Sequence, residues 1–242
     1  MTQVIGVLLH RAAQRRLAVR AIEIATALLS PARRAKVAAD LALVDRLIVA
    51  DVEQPTRELS AVERMTIMLE DRHFFEHSGV DPRGVMREII RVLGGRRHGG
   101  ASTIDMQFVR TATGYRANTM RRKLYEAFLA ILIQTRYPKI QILRSYLAAA
   151  YFGSGLLNAN AAAQKLFGKP ADDLGLEDGA TVAAMLACPR PLNGPAPWSA
   201  RVQRRARYAL QVYRVRSGQL TGVRGRPLNY GPLGALKDLT SK

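Results

Sequence analysis

The sequence predicts a mostly α-helical protein. Apolar residues recur at three- and four-residue spacing in nearly every segment, strand-type alternation is scarce, and helix-starting and helix-stopping residues stand at the segment boundaries. Residues from about 4 to 29 place Leu8, Leu9, Ala12 and Leu28 opposite several arginines, the pattern of an amphipathic helix that packs on a core or lies on a membrane surface. Asp81-Pro82 is a cap followed by proline at the first helical position, and opens a helix through about Leu93 that stops at Gly94-Gly95. Ser102 and Asp105 have the spacing of a capping box and start the next helix after the Gly99-Gly100 turn. Asn118 or Thr119 caps a long helix to about Arg136, whose AFLAILI stretch is apolar almost all round and calls for deep burial or lipid contact.

Pro138 starts a helix through KIQILRSYLAAAYFG, closed by Gly153. Another runs through EDGATVAAMLA and ends before Pro189 and Pro191, and Ser199 opens a basic helix that Gly218 stops. Neither repeats nor a clear linker divide the chain. Its expected parts are an N-terminal helical segment over 1–54, suited to a membrane surface, a main domain over 55–216 and a Gly/Pro-rich tail over 217–242.

At 242 residues and 48% hydrophobic, the chain can bury one sizeable core with a smaller second lobe. Lys and Arg number 37 against 19 acids, a net charge of +18 that implies an anionic partner such as nucleic acid, a phosphate-bearing substrate or an anionic lipid surface. The single cysteine, Cys188, excludes an internal disulfide or a multi-cysteine zinc site, and its apolar neighbours suggest a buried, inert thiol. No run reaches the roughly 18 to 20 apolar residues that span a bilayer, and the N-terminus does not read as a secretory signal.

Residues 68–84, MLEDRHFFEHSGVDPRG, set two acids against aromatics. Glu70 follows Ile67, Met68 and Leu69 and precedes Phe74 and Phe75, surroundings that should raise a carboxyl pKa. In RRKLYE, Arg122, Lys123 and Glu126 share one helical face, so Glu126 should stay ionised, although an exposed salt bridge reads the same way. Two acids in opposed environments are the pattern of an acid/base pair. GGASTIDMQFVR, residues 99–110, brings a Gly turn to a helix N-terminus, either an anion site or simply a capped helix. His73 and His77 stand four apart near Glu70, Asp71 and Glu76, but the order is wrong for a zinc-protease helix; His77 is better suited to fixing a turn.

In their order, these stretches resemble the peptidoglycan glycosyltransferases, family 51. The pattern EDxxFxxHxGxD is similar to Glu70-Asp71 with Phe74, His77, Gly79 and Asp81; GxSTxxQQ is similar to Gly100, Ser102, Thr103 and Gln107; RKxxE matches Arg122, Lys123 and Glu126. KxxILxxYLN resembles Lys139, Ile142, Leu143, Tyr146 and Leu147, followed by Tyr151-Phe152-Gly153, and the later LFGK, ACPRPLNGP and RVQRRARYAL fit as well. The likeness covers roughly residues 55 to 215. Met106 and Asp105 replace a Gln and a neutral Thr of the second pattern, Ala148 an Asn of the fourth, and Asn118 stands where many members have Arg.

The resemblance implies a bilobed, lysozyme-like fold at the outer face of the bacterial cytoplasmic membrane. It implies polymerisation of lipid II, a disaccharide-pentapeptide on a polyprenyl pyrophosphate, with other cell-wall synthesis proteins as further partners. By carry-over Glu70 is the general base, and Glu126 assists pyrophosphate departure through a divalent cation, magnesium or manganese, that it ligates. Ser102, Thr103, Gln107 and Arg110 line the donor phosphate site, and Arg122 and Lys123 stand near the phosphates. A degenerate member that binds such ligands as a scaffold is the alternative. A nucleic-acid binder is disfavoured because the basic helix over 201–216 belongs to no binding module, and motif order argues against a lysozyme-type hydrolase.

Overall fold

The computed structural model describes residues 26–48, 57–95, 102–192 and 196–221. The expected helix over 4–29 lies outside them except for its last few residues, as does most of the C-terminal tail. The fold is mostly helical: α1 (Pro31–Leu47), α2 (Ala61–Glu70), α3 (Pro82–Leu93), α4 (Ile104–Thr113), α5 (Met120–Arg136), α6 (Lys139–Ala149), α7 (Ala159–Phe167), α8 (Leu176–Ala184) and α9 (Ala196–Thr221). The strands β1 (Tyr151–Gly153) and β2 (Leu156–Leu157) form a small antiparallel hairpin between α6 and α7.

Local chemistry starts these helices. Ser60 and Glu63 form a reciprocal capping box at α2, and Asp81 accepts from the Arg83 amide (3.0 Å) just ahead of α3. Thr119, not Asn118, caps α5. At α4 the expected box fails by one residue. Thr103 is the N-cap, accepting from the Met106 amide, while its hydroxyl donates to the Gly79 carbonyl (2.6 Å). A hydroxyl can do both at once, which favours Thr103 over Ser102.

The helix expected to run to Gly153 stops at Ala149, because Ala150 turns extended and the YFG segment pairs as β1. Gly153 has φ +138 and lies against Arg190, whose backbone brackets it: Arg190 N donates to Phe152 O (2.9 Å) and Ser154 N to Arg190 O (2.8 Å). A side chain at 153 would collide with that backbone. The basic helix α9 begins three residues before Ser199 and passes through Gly218. Pro197 is tolerated in a first turn, and an interior glycine costs only about 1 kcal/mol.

One hydrophobic cluster joins two packed groups. Helix α2 lies on α8 and α9, burying Val62, Met65, Val182, Ala183, Val202 and Ala206. Gly179 lets α8 approach so closely that a methyl there would meet the Ala61 side chain at 2.7 Å. Helix α4 sits among α1, α5 and α6, with Phe108, Val109, Leu129, Ile133, Ile142 and Leu143 closed to solvent. The AFLAILI stretch is therefore core rather than lipid-facing, its Leu129, Ala130 and Ile133 being fully buried.

Candidate active site

Glu70 is the last residue of α2, where the helix delivers its side chain towards α4 and α9. Arg205 Nη2 on α9 donates to Glu70 Oε1 (2.5 Å), and Gln107 Nε2 on α4 donates to Glu70 Oε2 (3.0 Å). Gln107 is itself fixed by Tyr146 Oη, which donates to Gln107 Oε1 (2.7 Å); burial pushes that phenol's pKa up, so it stays a donor. The contacts seen on the carboxylate are polar. Phe74 turns into the core, fully buried, and a guanidinium and an amide meet the carboxylate instead.

Glu126 on α5 is closed to solvent and held from two helices. Arg110 forks onto it, Nε to Oε1 (3.1 Å) and Nη2 to Oε2 (3.0 Å), and Arg122 Nη1 reaches Oε1 (2.7 Å). Two guanidiniums on one buried carboxylate leave a local surplus of one positive charge. Lys123 does not join them: among the described residues it forms no ion pair with Glu126, which takes its second cation from Arg110. Gln107 and Arg110 are one turn apart on α4, so a single helical face reaches both acids.

Around that face lies a buried frame. Asp71 accepts from the Ile104 amide (3.1 Å) and pairs with His77 Nε2 (2.9 Å), so His77 fixes the turn after α2 as its sequence position suggests. Lys139 Nζ lies 2.7 Å from Asp105 Oδ2, 3.5 Å from His77 Nδ1 and over the Phe74 ring. Gln134 Nε2 donates to Asp105 Oδ1 (2.5 Å). Gly79 adopts φ +92, and a methyl there would meet the Ala130 carbonyl of α5 at 2.5 Å.

Burial pushes the Asp105 carboxyl above its usual value, against the pull of Lys139. An acid whose folded pKa is raised favours folding most when protonated, so its contribution falls as pH rises from 3.8 through the folded value. The stability margin of the wild type over Asp105→Asn should therefore shrink as pH rises above about 4 in urea unfolding. A margin that widens over that range would contradict the assignment.

The residues present do not fit a divalent cation as they stand. Glu126, the expected ligand, is wrapped by two arginines whose charge opposes a dication. Asp71, His77 and Asp105 form the metal-sized cluster among the described residues, and Lys139 already supplies its cation. Thr103, expected at the phosphate site, is 2% exposed with its hydroxyl committed to Gly79, so it positions α4. Ser102 is partly buried at the start of α4, beside it. Met106 lies on the core face of α4, so its replacement of a polar residue leaves the Gln107 contact intact. Cys188 is only partly buried, against expectation, because it lies in the irregular segment after α8. Sequence reasoning missed Arg205, whose only signal was a run of arginines on a basic helix.

The sequence that builds this site matches known proteins. The family model described as Transglycosylase matches residues 51–214, and the chain belongs to that family. Penicillin-binding protein 1A of Escherichia coli (strain K12) is 39% identical over 128 residues, 52% of this chain and 15% of that protein. Penicillin-binding protein 1A of Aquifex aeolicus (strain VF5) is 38% identical over 128 residues, 52% of this chain and 18% of that protein. Penicillin-binding protein 2a of Streptococcus pneumoniae serotype 2 is 36% identical over 135 residues, 54% and 18% of the respective chains. The matched region is thus less than a fifth of each of these relatives.

Proposed function

We propose that the protein is a peptidoglycan glycosyltransferase that polymerises lipid II. The observation that carries this reading is the face of α4 that sets Gln107 on Glu70 and Arg110 on Glu126. Glu70 accepts the proton of the acceptor sugar's 4-hydroxyl as that oxygen bonds to the donor's anomeric carbon. The bond from that carbon to the pyrophosphate oxygen breaks, and the electron pair leaves with the pyrophosphate. Arg122 and Arg110, held on Glu126, meet the charge that develops there, with Lys123 and Ser102 nearby in sequence. The frame of Asp71, His77, Lys139 and Asp105 holds the turn and helix that carry these groups. No step is assigned to a metal. Incubating the protein with labelled lipid II should yield polymer; saturable binding without polymer would favour a scaffold that has lost turnover.

The substrate's lipid tail calls for a membrane surface, and α3 supplies a face for one. Val85, Met86, Ile90 and Leu93 are exposed, Leu93 by 82%, on a helix that also carries Arg83, Arg87 and Arg91. Apolar residues among cations suit an interfacial helix on anionic lipid. Among the described residues no helix is long and apolar enough to cross a membrane. The double change Ile90→Glu, Leu93→Glu should weaken sedimentation with anionic vesicles by at least about tenfold. Unchanged binding would remove α3 from the membrane face.

A further inference from the structure

We propose that Arg205 is a substrate-operated latch on Glu70: it occupies the base in the free protein and transfers to a phosphate oxygen of the lipid-linked substrate when that binds. This rests on the glycosyltransferase reading above. The Arg205 Nη2 hydrogen bond lies on Glu70 Oε1, an oxygen whose lone pair the reaction needs for the incoming proton. With Gln107 on Oε2, both carboxylate oxygens are engaged. The two restraints differ in kind. Gln107 is locked from behind by the buried Tyr146, whereas Arg205 keeps 29% of its side chain exposed and comes from a separate helix. Of the two donors, Arg205 is the one free to leave.

A second observation points to where it goes. Arg205 Nε is buried and has no acceptor among the described residues. Leaving a buried donor unmade is unfavourable by about 1–3 kcal/mol, so such a group in a native protein calls for an explanation, a catalytic role or a bound ion among them. Arg122, the guanidinium beside the other acid, shows the same orphaned Nε. Each acid therefore holds an arginine with an N–H that no atom of the described residues accepts. A phosphate oxygen can take Nε and Nη of a guanidinium together, which Glu70 does not do. Exchange of the carboxylate for a phosphate would satisfy the orphan and free Oε1 in one movement. The base would then be competent only in the presence of the anionic substrate, which guards the site against idle proton exchange.

The test separates a latch from a fixed partner. In the binding arm, Glu70→Gln is compared with Glu70→Gln, Arg205→Met, using a short-chain prenyl pyrophosphate and isothermal titration. Neither protein carries the Glu70 charge, so neither leaves a buried carboxylate unpaired. Loss of Arg205 should weaken binding about tenfold, the worth of one charge-assisted contact. Equal affinities would overturn the proposal, because Arg205 would then serve Glu70 alone. In the kinetic arm, Arg205→Lys and Arg205→Met should lose efficiency mainly through KM for lipid II. A loss confined to kcat would likewise refute the latch. If the wild type makes no polymer, the glycosyltransferase reading fails while the binding arm still decides whether Arg205 takes phosphate.

Discussion

Glu70→Gln should reduce polymerisation of lipid II by about 10²- to 10⁴-fold, the usual contribution of a positioned general base. The substitution keeps the size and shape of the side chain while removing its ability to accept a proton. Its cost to the fold should be small. Arg205 is part-exposed and can turn to water, and Gln107 remains held by Tyr146. Circular dichroism and thermal unfolding should therefore stay close to wild type while initial rates collapse. A variant retaining more than about a tenth of the wild-type rate would exclude Glu70 as the base, since a base contributes at least 10²-fold.

Glu126→Ala is expected to do two kinds of damage. It strands Arg122, 11% exposed, without its carboxylate, and breaking one side of a buried ion pair typically destabilises by about 3–5 kcal/mol. It also releases the two guanidiniums from the geometry in which they would meet the leaving group. The double variant Glu126→Ala, Arg122→Met should regain part of the stability, since no charge is then left buried, yet remain inactive. Urea unfolding beside a lipid II assay separates these effects. If Glu126→Ala loses less than about 1 kcal/mol, the cluster is looser than its distances imply.

The sequence was most legible where short-range chemistry decides the structure. Asp81-Pro82 and Gly94 marked both ends of α3, and Thr119, one of the two caps expected for α5, holds that place. It was least legible where a partner comes from far along the chain. Thr103 outcompetes Ser102 as cap because its hydroxyl also finds the Gly79 carbonyl, a contact 24 residues away. The YFG segment leaves the helical pattern because Arg190 offers its backbone to Gly153. Periodicity cannot see such a strand partner.

The same limit governed the site. The identities of Glu70, Gln107, Arg110, Arg122 and Glu126 followed from motif order, but their pairings did not. Arg110 takes the place on Glu126 expected of Lys123, because Arg110 approaches from α4 while helical spacing reveals only neighbours on α5. Glu70 drew attention for aromatic neighbours in sequence that point into the core. The guanidinium on its carboxylate lies 135 residues away. Met106, which read as a lost polar residue, proved to be packed in the core while Gln107 beside it keeps its contact with Glu70.

Gly79 ties the turn after Glu70 to the helix of Glu126 so closely that even one methyl group would strike α5. The spacing between the two acids is thereby a dimension of the scaffold, set at folding like the jaw opening of a fixed wrench. On the glycosyltransferase reading, donor and acceptor would both have to fit that opening.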